Sequence, residues 1–317
     1  MLRFLLHTEK GVLVLLTLTA VMWGGNAVTA KYVVGELPPV TTAFFRFAWV
    51  SAILLALVWR TEGKRCLPER RQLPGILAMA LTGIFGHNFL VYSGVKLSTA
   101  TNMSLFAAVN PVITACLAAI FLHERLAKRQ MLGVALSLAG VVTVITRGDA
   151  SVLTGLSFNI GDIMLAAAPV AWAIYSVVGR RVMRGMSALA ATAWASVAGS
   201  AVLLVAALWE GFDGSIALSA VGWASMAYMI VGSGVLAFYW WNQGVIVIGP
   251  SRAAIFMNLI PVSGMFLAAV LLNESVSPEQ LIGAAMIIGG VWLTTQKPRP
   301  VAPVRTGEQE IGPSIPK

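Results

Sequence analysis

The sequence predicts an all-α integral membrane protein: ten transmembrane helices arranged as two inverted five-helix repeats around a central cavity. Three observations carry that expectation. The 317 residues are 58% hydrophobic and 11% charged, with a mean hydropathy of +0.82; a soluble domain uses about 25% charged residues to cover its surface. The apolar residues fall into ten runs of the length a bilayer span requires, roughly 17–25 residues. Residues 107–124, AAVNPVITACLAAIFLHE, match residues 257–274, MNLIPVSGMFLAAVLLNE, at seven of eighteen positions without a gap.

The runs follow in order. The first, 12–32, is too long, and too rich in Trp23, Gly24, Gly25 and Asn26, for a cleaved signal peptide, so it reads as a span. The second, 39–59, carries Arg46 inside it, and the third, 73–95, contains GIFGHNFLVY with His87, Asn88 and Tyr92. The fourth, 99–122, holds Asn110 and Pro111. The fifth, 131–147, is short, with Gly133 and Gly140 on a small-residue stripe suited to close helix packing. The sixth, 161–179, opens on Asp162 and places Trp172 and Tyr175 near mid-span. After the seventh, 187–209, the eighth, 220–245, ends near Tyr239, Trp240, Trp241 and Asn242. Those three aromatics read mostly as interfacial belt residues. The ninth, 251–272, has Asn258 and Pro261, and the tenth, 280–296, repeats the stripe as Gly283 and Gly290. Ser277, Pro278 and Gln280 spell a helix start with a capping box.

Charge sets the orientation. With the N-terminus in the cytoplasm, 18 of the 22 Lys and Arg fall on the inner side, as the positive-inside rule requires. The formal charge of +9 therefore marks a membrane surface and not a nucleic-acid partner. An even span count returns the C-terminus to the cytoplasm, where residues 297–317, proline-rich and polar, read as a disordered tail. Cys66 and Cys116 suggest neither a disulfide framework nor a metal or redox motif.

The match extends to 13 identities between 97–142 and 247–292 at an offset of 150, and Trp23 pairs with Trp172 at 149. Residues 1–147 form the first repeat and 148–296 the second. Five spans per repeat is an odd number, so the second enters the membrane upside down, the arrangement of many secondary transporters. Pro111 and Pro261 each deprive a carbonyl, Ala107 and Met257, of its helical donor. Such kinks are tolerated where they face protein or a wet cavity, so they are either cavity-lining, gating kinks or purely structural ones. Glu124 and Glu274 read as helix-end residues, the former paired with Lys128.

WGGN followed by Lys31, FFRF around Arg46, NP at 110, HER with Gln130 and Gly133, and the repeated P…NE…Q…G together resemble the EamA branch of the drug/metabolite transporter superfamily, over roughly 12–296. Within it, the chain is most similar to the YddG-type amino-acid exporters. The resemblance implies a ten-helix basket exporting amino acids or related metabolites across the bacterial inner membrane. Arg46 departs from the internal symmetry, since the offset lands on Ser196.

Polar residues inside a membrane are functional candidates. Trp23, Asn26, Arg46, His87, Asn88, Tyr92, Asn110, Trp172, Tyr175, Asn242 and Asn258 are the candidate substrate-binding residues, with Pro111 and Pro261 as gating kinks. Arg46 either snorkels to the outer interface or reaches inward to a substrate carboxylate. The set suits a small amphipathic molecule, an amino acid (aromatic or otherwise bulky and neutral) or a related metabolite, bound by a monomer in the lipid bilayer. An exporter of drugs and toxic compounds and a non-transporting receptor or scaffold are the competing readings. No GxSxG, HExxH or CxxC is present, so neither an enzyme, a metal site nor a cofactor is expected.

Overall fold

The computed structural model describes residues 6, 8–98, 100–124, 126–149, 151–154, 159–272 and 275–296. Glu274 and the tail 297–317 lie outside the described residues. Among the described residues all regular structure is helical. Seven helices are long and apolar enough to cross a membrane, from Pro39–Cys66 to Ala220–Ile248. The first, ninth and tenth runs are helical as well, over Glu9–Val34, Leu259–Leu272 with a short lead-in from Pro250, and Pro278–Thr295.

Helices begin where a side chain can satisfy the free amides of the first turn. Thr8, Ser187 and Ser219 each accept from the amide three residues on. Asn159 and Asp162 cap each other reciprocally at the start of the sixth segment. The box expected before the tenth helix forms: Gln280 accepts from the Ser277 amide at 3.0 Å and donates its own to the Ser277 hydroxyl at 3.3 Å.

The fifth and tenth helices meet along their glycine stripes. Gly133 lies against Gly290 and Gly140 against Gly283. Gln130 and Thr294 close the same seam, the Gln130 amide donating to the Thr294 carbonyl at 3.2 Å and the Thr294 hydroxyl to the Gln130 carbonyl at 3.3 Å.

Both proline segments are interrupted. The fourth is two helices, Ala100–Ala108 and Asn110–Leu122, with the break at Val109 and Pro111 in the first turn of the second. In the ninth, a 3-10 stretch Ile255–Asn258 precedes the helix that contains Pro261. Glu124 differs from expectation. The chain has left the helix at His123, which adopts the left-handed conformation, so Glu124 does not share a helical face with Lys128. Its carboxylate instead accepts from the Ser251 hydroxyl at 2.9 Å and the Ser251 amide at 3.4 Å. It thereby caps the chain entering the ninth segment, where an acid next to free amides is favoured.

Candidate functional site

Two stretches of π-helix shape the centre of the molecule. Ala80–Gly86 interrupts the third segment and Val231–Leu236 the eighth. His87 donates its amide to Thr82 and Ala237 to Gly232, five residues back in each case, and the two bonds are related by the repeat offset of 150. A π-helical turn inserts one extra residue and disturbs the carbonyl ladder, so its carbonyls seek other donors. In the third segment the donor is Asn88, whose amide reaches Ile84 O at 2.7 Å and Gly83 O at 3.3 Å. In the eighth it is Arg46, which donates to Met229 O and Ser233 O, both at 3.0 Å.

Arg46 thus neither snorkels nor faces open water: it is 3% exposed. It also meets the Ser233 hydroxyl at 3.1 Å and the neighbouring Tyr92 phenol, and its guanidinium carbon lies 5.1 Å from the centre of the Phe47 ring. Among the described residues the ion pairs are Arg71–Glu69 and Arg252–Glu9, so this buried guanidinium has only neutral partners there. Ser233 is a junction that sequence reasoning passed over. It donates to Asn26 Oδ1 at 2.7 Å, and its carbonyl also accepts from the Trp23 indole at 3.1 Å. A serine flanked by glycines within an apolar run was the only available signal.

Below this cluster the aromatic rings close on one another. Trp23 and Trp172, the repeat-related pair, sit edge to face with centroids 5.2 Å apart. Trp241 packs 5.5 Å from Trp23 and 5.4 Å from Trp172, and Phe238 lies within 5.8 Å of both tryptophans. Trp241 is therefore not a belt residue: it is 1% exposed. The eighth segment continues helical to Ile248, which carries position 241 deeper than a span ending at 245 would. His87 packs 5.1 Å from Trp172 and bonds Ala168 O through Nδ1 at 3.1 Å; a carbonyl only accepts, so Nδ1 carries the hydrogen.

A second polar cluster lies beyond the rings. Asn242 donates to the Tyr175 hydroxyl and to Thr192 Oγ1, both at 2.7 Å. Tyr175 covers Gly83, the repeat mate of Ser233, where a side chain would have no room. The two clusters are repeat images: Tyr92 corresponds to Asn242 at 150 and Asn26 to Tyr175 at 149. Their exposure differs. Trp23, Asn26 and Tyr92 are partly accessible, whereas Trp172, Tyr175 and Asn242 are 2%, 0% and 0% exposed.

The structure therefore brings Trp23, Asn26, Arg46, His87, Tyr92, Trp172, Tyr175 and Asn242 into one connected set of hydrogen bonds and ring contacts. The other candidates direct their amides elsewhere: Asn88 to its own helix, Asn110 to Thr114 at 3.0 Å, and Asn258 to Ser137 on the fifth helix at 2.9 Å. Among the described residues no group of His, Cys, Asp or Glu could hold a metal ion.

The sequence pattern of the EamA-like transporter family matches this chain twice, over residues 10–146 and 159–296. The chain is 33% identical to the uncharacterized transporter YyaM of Bacillus subtilis, over 86% of its own length and 89% of that protein's. It is 27% identical to a probable amino-acid metabolite efflux pump of Salmonella typhimurium, covering 87% and 92% of the two chains. A solved crystal structure superposes with a TM-score of 0.78 at 22% identity, over 91% of this chain and 97% of that one. The protein belongs to the EamA-like transporter family: it is a multi-pass membrane transporter, not an enzyme.

Proposed function

We propose that the protein exports amino acids, bulky neutral ones among them, and related small metabolites from the bacterial cytoplasm by alternating access. In this reading the chain has ten spans, in two inverted repeats over 1–147 and 148–296, with both termini and the tail 297–317 in the cytoplasm of an inner-membrane protein. A single chain supplies both halves of the path, so a monomer suffices.

The observation that carries the substrate class is Arg46. A guanidinium with only neutral partners in a membrane interior is costly, and an incoming carboxylate would supply the missing countercharge at Nη1, since Nε and Nη2 already donate to Met229 and Ser233. Its neighbours Trp23 and His87 offer the apolar and polar surface an amino acid needs. The unequal exposure of the two repeat-related clusters supports alternating access: Trp23, Asn26 and Tyr92 beside the buried Arg46 are partly accessible, whereas their images Trp172, Tyr175 and Asn242 are sealed. The name carried by the Salmonella relative agrees with this class.

Flux in proteoliposomes tests the proposal. Preloaded amino acids should be released by the wild-type protein, while Arg46→Gln slows carboxylate-bearing substrates by about tenfold or more, the worth of one charge-assisted hydrogen bond. Arg46→Lys, which keeps the charge without the fork, should fall between. An exporter of uncharged drugs would release no preloaded amino acid in either form, which would favour that second reading, whereas wild-type amino-acid flux in Arg46→Gln would remove Arg46 as the partner of the carboxylate.

A further inference from the structure

Among the described residues, three buried polar atoms in the sealed half have no partner: the indole nitrogens Trp172 Nε1 and Trp241 Nε1, and the amide oxygen Asn242 Oδ1. Buried polar atoms are nearly always paired, so an orphan calls for an explanation. Here the orphans occur together. The two indoles pack 5.4 Å apart, Asn242 follows Trp241 in sequence, and its amide nitrogen holds the hydroxyl of Tyr175, whose ring lies 5.1 Å from that of Trp172.

The chemistry of each orphan is fixed by its surroundings. An indole N–H can only donate. The Asn242 amide could in principle be turned over, but Thr192 already donates its hydroxyl hydrogen to Ala188 O at 2.6 Å. Thr192 Oγ1 can therefore only accept from Asn242, which places the amide nitrogen there and leaves the oxygen as the unpaired acceptor. The set is two donors and one acceptor, ringed by Trp172, Tyr175 and Trp241, whose faces attract a cation.

We infer that Trp172, Trp241 and Asn242 form a second substrate site that reads the zwitterionic head of an α-amino acid, separate from Arg46. The indole hydrogens bind the carboxylate, and Asn242 Oδ1 with the surrounding rings binds the ammonium. The site rests on the reading of the protein as an amino-acid exporter and adds a position to it. Asn242 lies nine residues beyond Ser233 on one continuous helix, roughly 13 Å along its axis at about 1.5 Å per residue. One amino-acid head cannot hold Asn242 and the Arg46 cluster at Ser233 at once, so the sites act in turn, with Trp23 between them against both Trp172 and Trp241. Here the inner one is collapsed, its rings on each other and its donors unused. Opening the sealed side parts the rings, and the substrate supplies the missing partners.

Competition against labelled phenylalanine in counterflow, with the full-length protein in liposomes, reads the two ends of the head separately. Phenethylamine lacks the carboxylate and 3-phenylpropionate lacks the ammonium. Wild type should prefer phenylalanine over each by about tenfold or more. Asn242→Leu should narrow the preference over 3-phenylpropionate by about tenfold and spare that over phenethylamine. Trp172→Phe and Trp241→Phe, which keep the ring and remove the donor, should do the reverse. Asn242→Gln, which keeps the amide oxygen as acceptor and the amide nitrogen that Thr192 and Tyr175 accept from, should keep the wild-type preference and guards against misfolding of the Leu variant. Parallel losses for both analogues, or unchanged preferences in all variants, overturn the site while amino-acid flux persists. Absence of flux for phenylalanine and every other amino acid in wild type overturns the export reading itself.

Discussion

Gly133 packs directly onto the backbone of Gly290: a Cβ at 133 would stand 2.6 Å from the Gly290 carbonyl oxygen. Its image holds as well, since a Cβ at Gly283 would stand 2.7 Å from the carbonyl of Gly140. The offset of 150 turns Gly133 into Gly283 and Gly140 into Gly290, so the seam exchanges partners as an isologous contact does. The duplication read from sequence thus reappears as a self-complementary contact between the last helices of the two repeats.

Substituting that seam should separate it. Gly133→Ala and Gly140→Ala each force a methyl group into backbone, and overpacking of this kind costs about 1–3 kcal/mol. Gly289→Ala is the matched control, because its nearest neighbour is a Leu136 methyl at 3.8 Å. Thermal unfolding of the purified protein should show the first two lowered and the third near wild type; equal midpoints for all three contradict the close approach.

Pro111→Ala and Pro261→Ala should insert into the membrane normally and slow transport. Each proline sits just after a break in its segment, and restoring an amide lets the helix run through. If both variants transport at the wild-type rate, the breaks serve structure and not gating.

Replacing Trp23 or Trp172 by Ala should weaken bulky substrates more than small ones, because the rings supply apolar contact in proportion to substrate surface. Concentration dependence of flux for a size series of neutral amino acids measures this. Equal losses across the series would assign the pair to packing alone.

Transport should be weakly coupled or uncoupled to protons. Among the described residues the membrane interior holds no acid between the helix ends: Asp162 is in the first turn of its helix, capping Asn159, and Glu124 caps Ser251. Proton-driven carriers need an ionisable group that both sides reach in turn. Preloaded liposomes should release substrate at similar rates with and without a pH gradient. Uphill accumulation driven by such a gradient, and lost in His87→Ala, would make His87 the proton carrier.

The sequence by itself determined the class, the duplication and several helix starts, because these depend on local quantities. Hydrophobic run length answers to the bilayer, Ser277 and Gln280 cap within one turn, and Gly133 and Gly140 mark a close contact wherever their partner lies. It also named most of the central residues, since a Trp, His or Arg inside an apolar run has few other uses. What only the tertiary structure decided was the destination of each polar group. Asn88 and Arg46 both complete π-helical turns, and those turns leave no local signature because a single extra residue is set by packing against other segments. Trp241 looked like a belt residue by its distance from a helix end, yet the eighth segment runs deeper and turns it inward. Glu124 passed over its near neighbour Lys128 for Ser251, 127 residues away, because the chain had already left the helix. A polar side chain buried in a bundle takes whichever partner the neighbouring helix presents, and that neighbour is chosen by the whole fold.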